Sequence, residues 1–397
     1  MVSFDTRTRK AFHPSPKDVL ATEERGTKVP NEQAESGSTR VLSIDALRGF
    51  DMFWIIGGGT LLASLADVWP HRITQTIQQQ LEHVEWEGFN FEDLIFPLFI
   101  FLLGAVLPFA LSRRLERGQS PLQVHLHVIK RAAALILLGL IFNDLLRFDW
   151  ATMRWPGVLQ RIGLCYFFAA LLVIHTKWRT QAIFVAVALL AYWAVTMLVP
   201  VPGFGAGNLS PEGCLSSYID QRLIPGQLYY GHGDNEGVIS TLPGICTALI
   251  GALAGHWLRS DRSGARKAAG LAVAGIVCLA AGWAWGEVFP IIKILWTSSF
   301  VLFAGGWSLL LLALFYWVID VLGFRRWAFF FIVIGVNPIT IYFLQRFVDF
   351  REIAGFFFGG LAEHVGPYTP LVLPFGALLI RWLLLRFLYR HKIFFKV

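Results

Sequence analysis

Apolar windows long enough to cross a lipid bilayer recur along this chain about ten times, near 44–66, 92–112, 129–147, 158–175, 182–201, 237–257, 268–289, 297–319, 328–346 and 371–389. A hydrocarbon core about 30 Å thick needs about 20 helical residues. Inside lipid every backbone polar group must be bonded within the chain, and no period-two alternation points to a barrel. The expected fold is therefore an all-α polytopic membrane protein of about ten transmembrane helices. Composition agrees. Only 15% of residues are charged and 55% are hydrophobic, against about 25% charged in an ordinary soluble domain. A soluble enzyme, a disordered chain and a nucleic-acid module all fit poorly. The net charge of +7 is accounted for by basic residues gathered on cytoplasmic loops, and no nucleic-acid partner is expected.

The basic residues also orient the chain. With the N-terminal tail in the cytoplasm, connections on that side carry sixteen Lys and Arg beyond the tail, and the opposite side carries six. The positive-inside rule then places both termini in the cytoplasm. Residues 1–42 are polar, hold Pro14, Pro16 and Pro30, and lack a signal-peptide core; they are expected to form a disordered cytoplasmic tail. Residues 43–397 form the transmembrane domain, with external loops at 67–91, 202–236 and 347–370. The middle loop is rich in glycine and proline, and loops of this length tend to be functional.

Metal and disulfide chemistry find little support. Cys165, Cys246 and Cys278 lie in apolar segments, and Cys214 stands alone in a polar loop. His125 and His127 are two apart, on different faces of a helix, so no metal site is expected.

Ionisable groups inside the spans are costly and need reasons. Asp45, Arg48 and Asp51 climb one side of span one at a spacing of three, so each carboxylate can reach the arginine. They form either an ion-pair ladder that docks the helix or part of a substrate or cofactor site. Gly57, Gly58 and Gly59 follow, where another backbone or a ligand can approach closely. The densest polar cluster is LEHVEWEG, with Glu82, His83, Glu85, Trp86 and Glu87, just before span two and its Asp93. A histidine there is either structural or a proton acceptor working near neutral pH. Gln160 and Arg161 enter span four from the external side. Asn337 precedes Pro338 within span nine, where the proline bends the helix. Arg381 lies near the middle of span ten and calls for a carboxylate, such as Asp45 or Asp51, or an anionic ligand.

Taken in order, SIDALRGFDMF, GGG, LEHVEWEGFNFEDLIFPLFIFLLG, PGVLQRIGLCYF, DNEGVISTLPGI, LWTSSFVLF, GVNPITIY and RHKIFFKV give a chain that resembles the heparan-α-glucosaminide N-acetyltransferase family and its bacterial relatives. The resemblance runs from about Ser43 to the C-terminus. It implies acetyl transfer from cytoplasmic acetyl-CoA, as co-substrate, to an amino sugar or glycan at the external face of the cytoplasmic (inner) membrane. The family's functional histidine maps onto His83, as general base or as a nucleophile that carries the acyl group. Asp45, Arg48, Asp51, Gly58, Glu85, Trp86, Asp93, Gln160, Arg161 and Asn337 are then supporting or substrate-binding candidates, and Arg381 a contact for the CoA. The expected partners are acyl-CoA, the glycan acceptor and the bilayer, and a homodimer is an allowed assembly. The alternative reading is a sugar or amino-sugar transporter, which also uses intramembrane charges and broken helices.

Overall fold

The computed structural model describes residues 41–394. The expected tail lies outside these residues except for its last two, and Leu42 already opens the first helix. That helix, α1 (Leu42–Phe53), widens into a π-helical turn over Trp54–Gly58 and continues as α2 (Gly59–Ala63) and α3 (Leu65–Val68). After α4 (Arg72–Gln80) comes the long α5 (Glu92–Glu116), then α6 (Pro121–Phe142), α7 (Val158–His175) and α8 (Trp178–Leu198). A short α9 (Leu215–Leu223) precedes α10 (Thr241–Leu258), α11 (Gly264–Gly286) and α12 (Ser298–Phe315). The chain ends with α13 (Ala328–Gly335), α14 (Pro338–Leu344), α15 (Phe350–His364) and α16 (Thr369–Arg390). The protein is all-helical, and among the described residues nine helices are long and apolar enough to cross a membrane.

The ninth expected span, 328–346, is not one helix. Asn337 leaves helical geometry (φ −126°, ψ 48°), and Pro338 starts α14 at its first position. A residue before proline is pushed out of the α region by the proline ring, so the apolar run divides into α13 and α14. The three long loops also carry helices: α4 lies in 67–91, α9 in 202–236 and α15 in 347–370. The last changes the picture most. α15 packs antiparallel along α16, with Phe350 under the Arg381 guanidinium at 4.8 Å. A Cβ on Gly376 would stand 2.6 Å from the Phe358 ring. With 15 residues α15 is too short to register as a span, yet its Phe356 and Phe357 are largely exposed, an outer face suited to lipid.

Small residues set the closest helix crossings. A Cβ on Gly104 of α5 would lie 1.8 Å from the Ala248 carbonyl oxygen of α10. Gly49 of α1 meets the backbone of α13 in the same way, 1.7 Å from the Phe331 oxygen. In lipid the hydrophobic drive between helices is absent, and contact at backbone distance supplies the attraction. α5 and α10 are the most enclosed spans, whereas α11 and α16 are among the most exposed. The start of α1 is capped from another helix. Asp320 accepts the N–H groups of Leu42 (3.3 Å) and Ser43 (3.1 Å), donors for which the local sequence, with Val41 at the N-cap, has no side chain.

Candidate active site around His83

Residues 81–91 leave α4 and must turn sharply to enter α5. Asn90 organises the turn: its side-chain amide donates to the carbonyls of Gln79 and Glu82, both at 2.9 Å, and its Oδ1 accepts from Gln80 (3.1 Å). Asp93, in the first turn of α5 where the helix dipole favours a carboxylate, accepts the N–H groups of Asn90 (3.0 Å) and Val84 (3.4 Å) on Oδ2. Two further bonds dock the turn. The Trp86 indole donates to the Leu209 carbonyl (2.9 Å), and the Gly88 N–H donates to the Ile291 carbonyl (2.9 Å).

This frame delivers three side chains to one point. His83 Nδ1 lies 2.9 Å from Asp93 Oδ1 and 3.0 Å from Lys293 Nζ, and Nζ lies 3.1 Å from the same carboxylate oxygen. The Asp93 side chain is 1% exposed and that of His83 59%. A buried carboxylate is the stronger acceptor, so Nδ1–H donates to Asp93, and Lys293 also donates to Asp93. Nε2 then keeps its lone pair, on a side chain that is more than half exposed. Burial pushes the Lys293 ammonium below the ordinary lysine range, and Asp93 opposes that shift. The arrangement can take a proton at Nε2 or attack with it. Lys293 belongs to no motif; it lies 210 residues from His83, between Ile292 and Ile294.

Residues 40–204, which include His83 and Asp93, match the family described as Domain of unknown function (DUF5009). Two curated proteins align over most of the chain. The chain is similar to heparan-alpha-glucosaminide N-acetyltransferase. Identity to the Mus musculus enzyme is 27% over 433 residues, covering 92% of this chain and 62% of the relative. Identity to the Homo sapiens enzyme is 27% over 364 residues, covering 76% and 52%. The chain therefore spans between half and two thirds of the length of these N-acetyltransferases.

The other expected site residues divide. Glu85 is exposed, as are Glu82 and Glu87, and Trp86 acts as an anchor for the turn. Asp45 and Arg48 pair at 3.4 Å, as the spacing predicts. Asp51 does not complete the ladder by a hydrogen bond: it is fully buried, and neither carboxyl oxygen has a hydrogen-bond partner among the described residues. At the glycine stretch the strained position is Gly57 (φ 113°), while Gly58 is pressed against the Phe53 ring. The widened turn frees the Ile56 carbonyl, and Arg381 donates to it at 3.1 Å. Arg381 thus holds a backbone carbonyl and the Phe350 face rather than Asp45 or Asp51. Gln160 donates to the Trp155 carbonyl (3.1 Å). Arg161, 1% exposed, bonds Ser240 and the Gly237 carbonyl and lies over the Trp296 ring at 5.0 Å. Asn337 donates to the Ile393 carbonyl (3.1 Å), which ties the C-terminal segment to the break between α13 and α14.

A second polar group clamps the connections on the same side. Arg154 binds Asp234 through two nitrogens (2.8 and 2.6 Å) and also Glu236, the bidentate geometry that suits a guanidinium. Burial works against the Arg154 charge, yet these two carboxylates hold its pKa above the usual arginine value. Burial raises Glu236 and pushes Asp220 up to about 6, although Asp220 accepts the N–H groups of Val238 and Asp234.

Proposed function

We propose that this protein is a multi-pass membrane acyltransferase that moves an acetyl group from cytoplasmic acyl-CoA to an amino sugar or glycan at the external face. The observation that carries this reading is the His83 ring, held at Nδ1 by buried Asp93, with no hydrogen-bond partner for Nε2 among the described residues. The similarity to the N-acetyltransferases supports the reaction type. The excess of Lys and Arg on one set of connections supports the orientation and placement in the cytoplasmic membrane.

In this reading His83 Nε2 takes a proton from the acceptor amine as the nitrogen attacks the thioester carbon. The C–N bond forms, the C–S bond breaks, and the thiolate leaves. Asp93 fixes the tautomer and steadies the imidazolium, and Lys293 holds Asp93 in place. Covalent transfer through Nε2 uses the same geometry. The donor supplies an activated thioester and a polyphosphate tail. A fitting group of cations sits at the other end of α5. Arg114 lies 2.8 Å from His127 Nε2, and Arg131 stands over the Tyr166 ring at 4.7 Å with its Nε buried and without a hydrogen-bond partner among the described residues.

The test is release of CoA thiol by purified protein given acetyl-CoA and a panel of amino sugars. Release that requires both a sugar and His83, and is lost in His83→Ala, is the expected result. Full transfer by His83→Ala sinks the assignment. The widened turn at Trp54–Gly58 and the break at Asn337 favour a second reading, a sugar transporter. Saturable sugar counterflow in liposomes without CoA chemistry would select it.

A further inference from the structure

The spacing of His125 and His127 points away from a shared ligand, but the fold gives His125 a different neighbour. His125 lies in the second turn of α6, and His175 is the last residue of α7. The helices are consecutive, so an antiparallel pairing returns the end of α7 to the start of α6. There the two Nε2 atoms stand 2.8 Å apart, with ring centroids at 4.9 Å.

The other ring nitrogen of His125 decides what that contact can be. His125 Nδ1 is 2.6 Å from the Pro121 carbonyl oxygen. A carbonyl only accepts, so Nδ1 carries the hydrogen and Nε2 presents a lone pair toward His175. An imidazole whose N–H is held by a backbone carbonyl, with its far nitrogen free, is the usual setting of a metal-bound histidine. His175 is free to supply the second lone pair, since its proton can move to Nδ1 without any net release. The negative end of the α7 dipole lies at His175 and favours a cation there.

We propose that His125 and His175 bind one late first-row divalent metal ion, of the Zn²⁺ or Cu²⁺ class, and so staple the start of α6 to the end of α7. Two neutral imidazoles suit these ions rather than Mg²⁺ or Ca²⁺, which take oxygen ligands. Metal–nitrogen bonds of about 2.0–2.1 Å in tetrahedral geometry need the Nε2 atoms only slightly farther apart than they are. His175 is exposed, so its ring can make that adjustment, and water completes the coordination. No group of three or more His, Cys, Asp and Glu that could hold a metal exists among the described residues. The site is therefore an open, exchangeable one, not a closed structural centre.

The experiment uses the full chain, purified without a histidine tag and stripped with chelator. Zn²⁺ is titrated by calorimetry and Cu²⁺ by electron paramagnetic resonance. Wild type should bind one equivalent, with two nitrogen ligands in the Cu²⁺ spectrum. His125→Ala and His175→Asn should each weaken binding by at least about tenfold, since losing a ligand costs no less than losing a ligand's support. His364→Ala is the control: His364 is an exposed histidine with Nδ1 on the Gly360 carbonyl (2.7 Å), and its loss should leave the affinity unchanged. Wild-type affinity in either His125→Ala or His175→Asn, or no binding by wild type, overturns the proposal.

Discussion

Asp93 commits His83 to one tautomer, and the same carboxylate oxygen receives Lys293. Replacing Asp93 by Asn keeps the shape but offers Nδ1 an amide that can donate as well as accept. The ring can then turn its proton to Nε2, where no base remains. Acyl transfer by Asp93→Asn should fall on the order of 10²–10⁴-fold, with the KM values for both substrates little changed; a rate within a factor of two of wild type would remove Asp93 from the mechanism. Lys293 makes a different prediction. Burial holds its pKa below that of an ordinary lysine, so as pH rises it loses its proton, and its grip on Asp93, earlier than a surface lysine would. Activity should decline on the alkaline side for that reason. Lys293→Arg, whose charge persists, should shift that limb of the pH–rate profile upward. An unshifted limb would mean that another group titrates there. His83 and Asp93 were legible as candidates in the sequence because they lie ten residues apart in one motif. Lys293 was not, because nothing in an apolar loop 200 residues from Asp93 announces that the fold returns it to the same carboxylate.

Among the helices, α1 departs most from what a hydropathy window conveys. The window near 44–66 reads as one span, and only GGG hints at a break. The widened turn at Trp54–Gly58 places Gly57 at φ 113°, a region that an L side chain enters at a cost of about 1–2 kcal/mol. The turn also frees the Ile56 carbonyl for Arg381 on α16. Read alone, Arg381 is a charge in need of a carboxylate. In the fold it is the donor that satisfies a backbone group inside the membrane, where an unbonded carbonyl would be expensive. A Cβ on Gly57 would sit 3.0 Å from the Arg381 guanidinium. Gly57→Ala and Arg381→Met should therefore each lower the thermal unfolding temperature in detergent. The double variant should cost less than the sum of the two, because both remove the same link. Strict additivity would show that the turn and the arginine are independent. The division of the 328–346 window into α13 and α14 had a readable signal, Asn337-Pro338. The run of α15 along α16 had none, since 15 residues interrupted by Glu352 and three glycines look like a loop until α16 is there to pack against.

Apart from Asp51 and Arg381 within the helices, the polar clusters described above lie toward two ends of an apolar bundle, and α5 measures the distance between them. Asp93 lies in its first turn and Arg114 in its last. At 1.5 Å per residue the two are about 32 Å apart, close to the thickness of the hydrocarbon core. The His83 site and the Arg114–His127–Arg131 group thus lie at opposite ends of a helix long and apolar enough to cross that core. One that binds the phosphates of a donor and one that meets an acceptor amine would be coupled only through the bundle between them. This separation makes the two ends distinguishable by kinetics. Neutralising the basic end with Arg114→Gln and Arg131→Gln removes attraction for the phosphates in the ground state and the transition state alike. The KM for acetyl-CoA should then rise several-fold, about 1 kcal/mol or more for each lost charge-assisted bond, with kcat and the acceptor KM unchanged. His83→Ala should do the reverse, reducing kcat with little effect on acetyl-CoA binding. Should the arginine variants reduce kcat and leave the acetyl-CoA KM alone, the donor does not enter by the basic end, and the Lys and Arg there serve only to orient the chain in the bilayer.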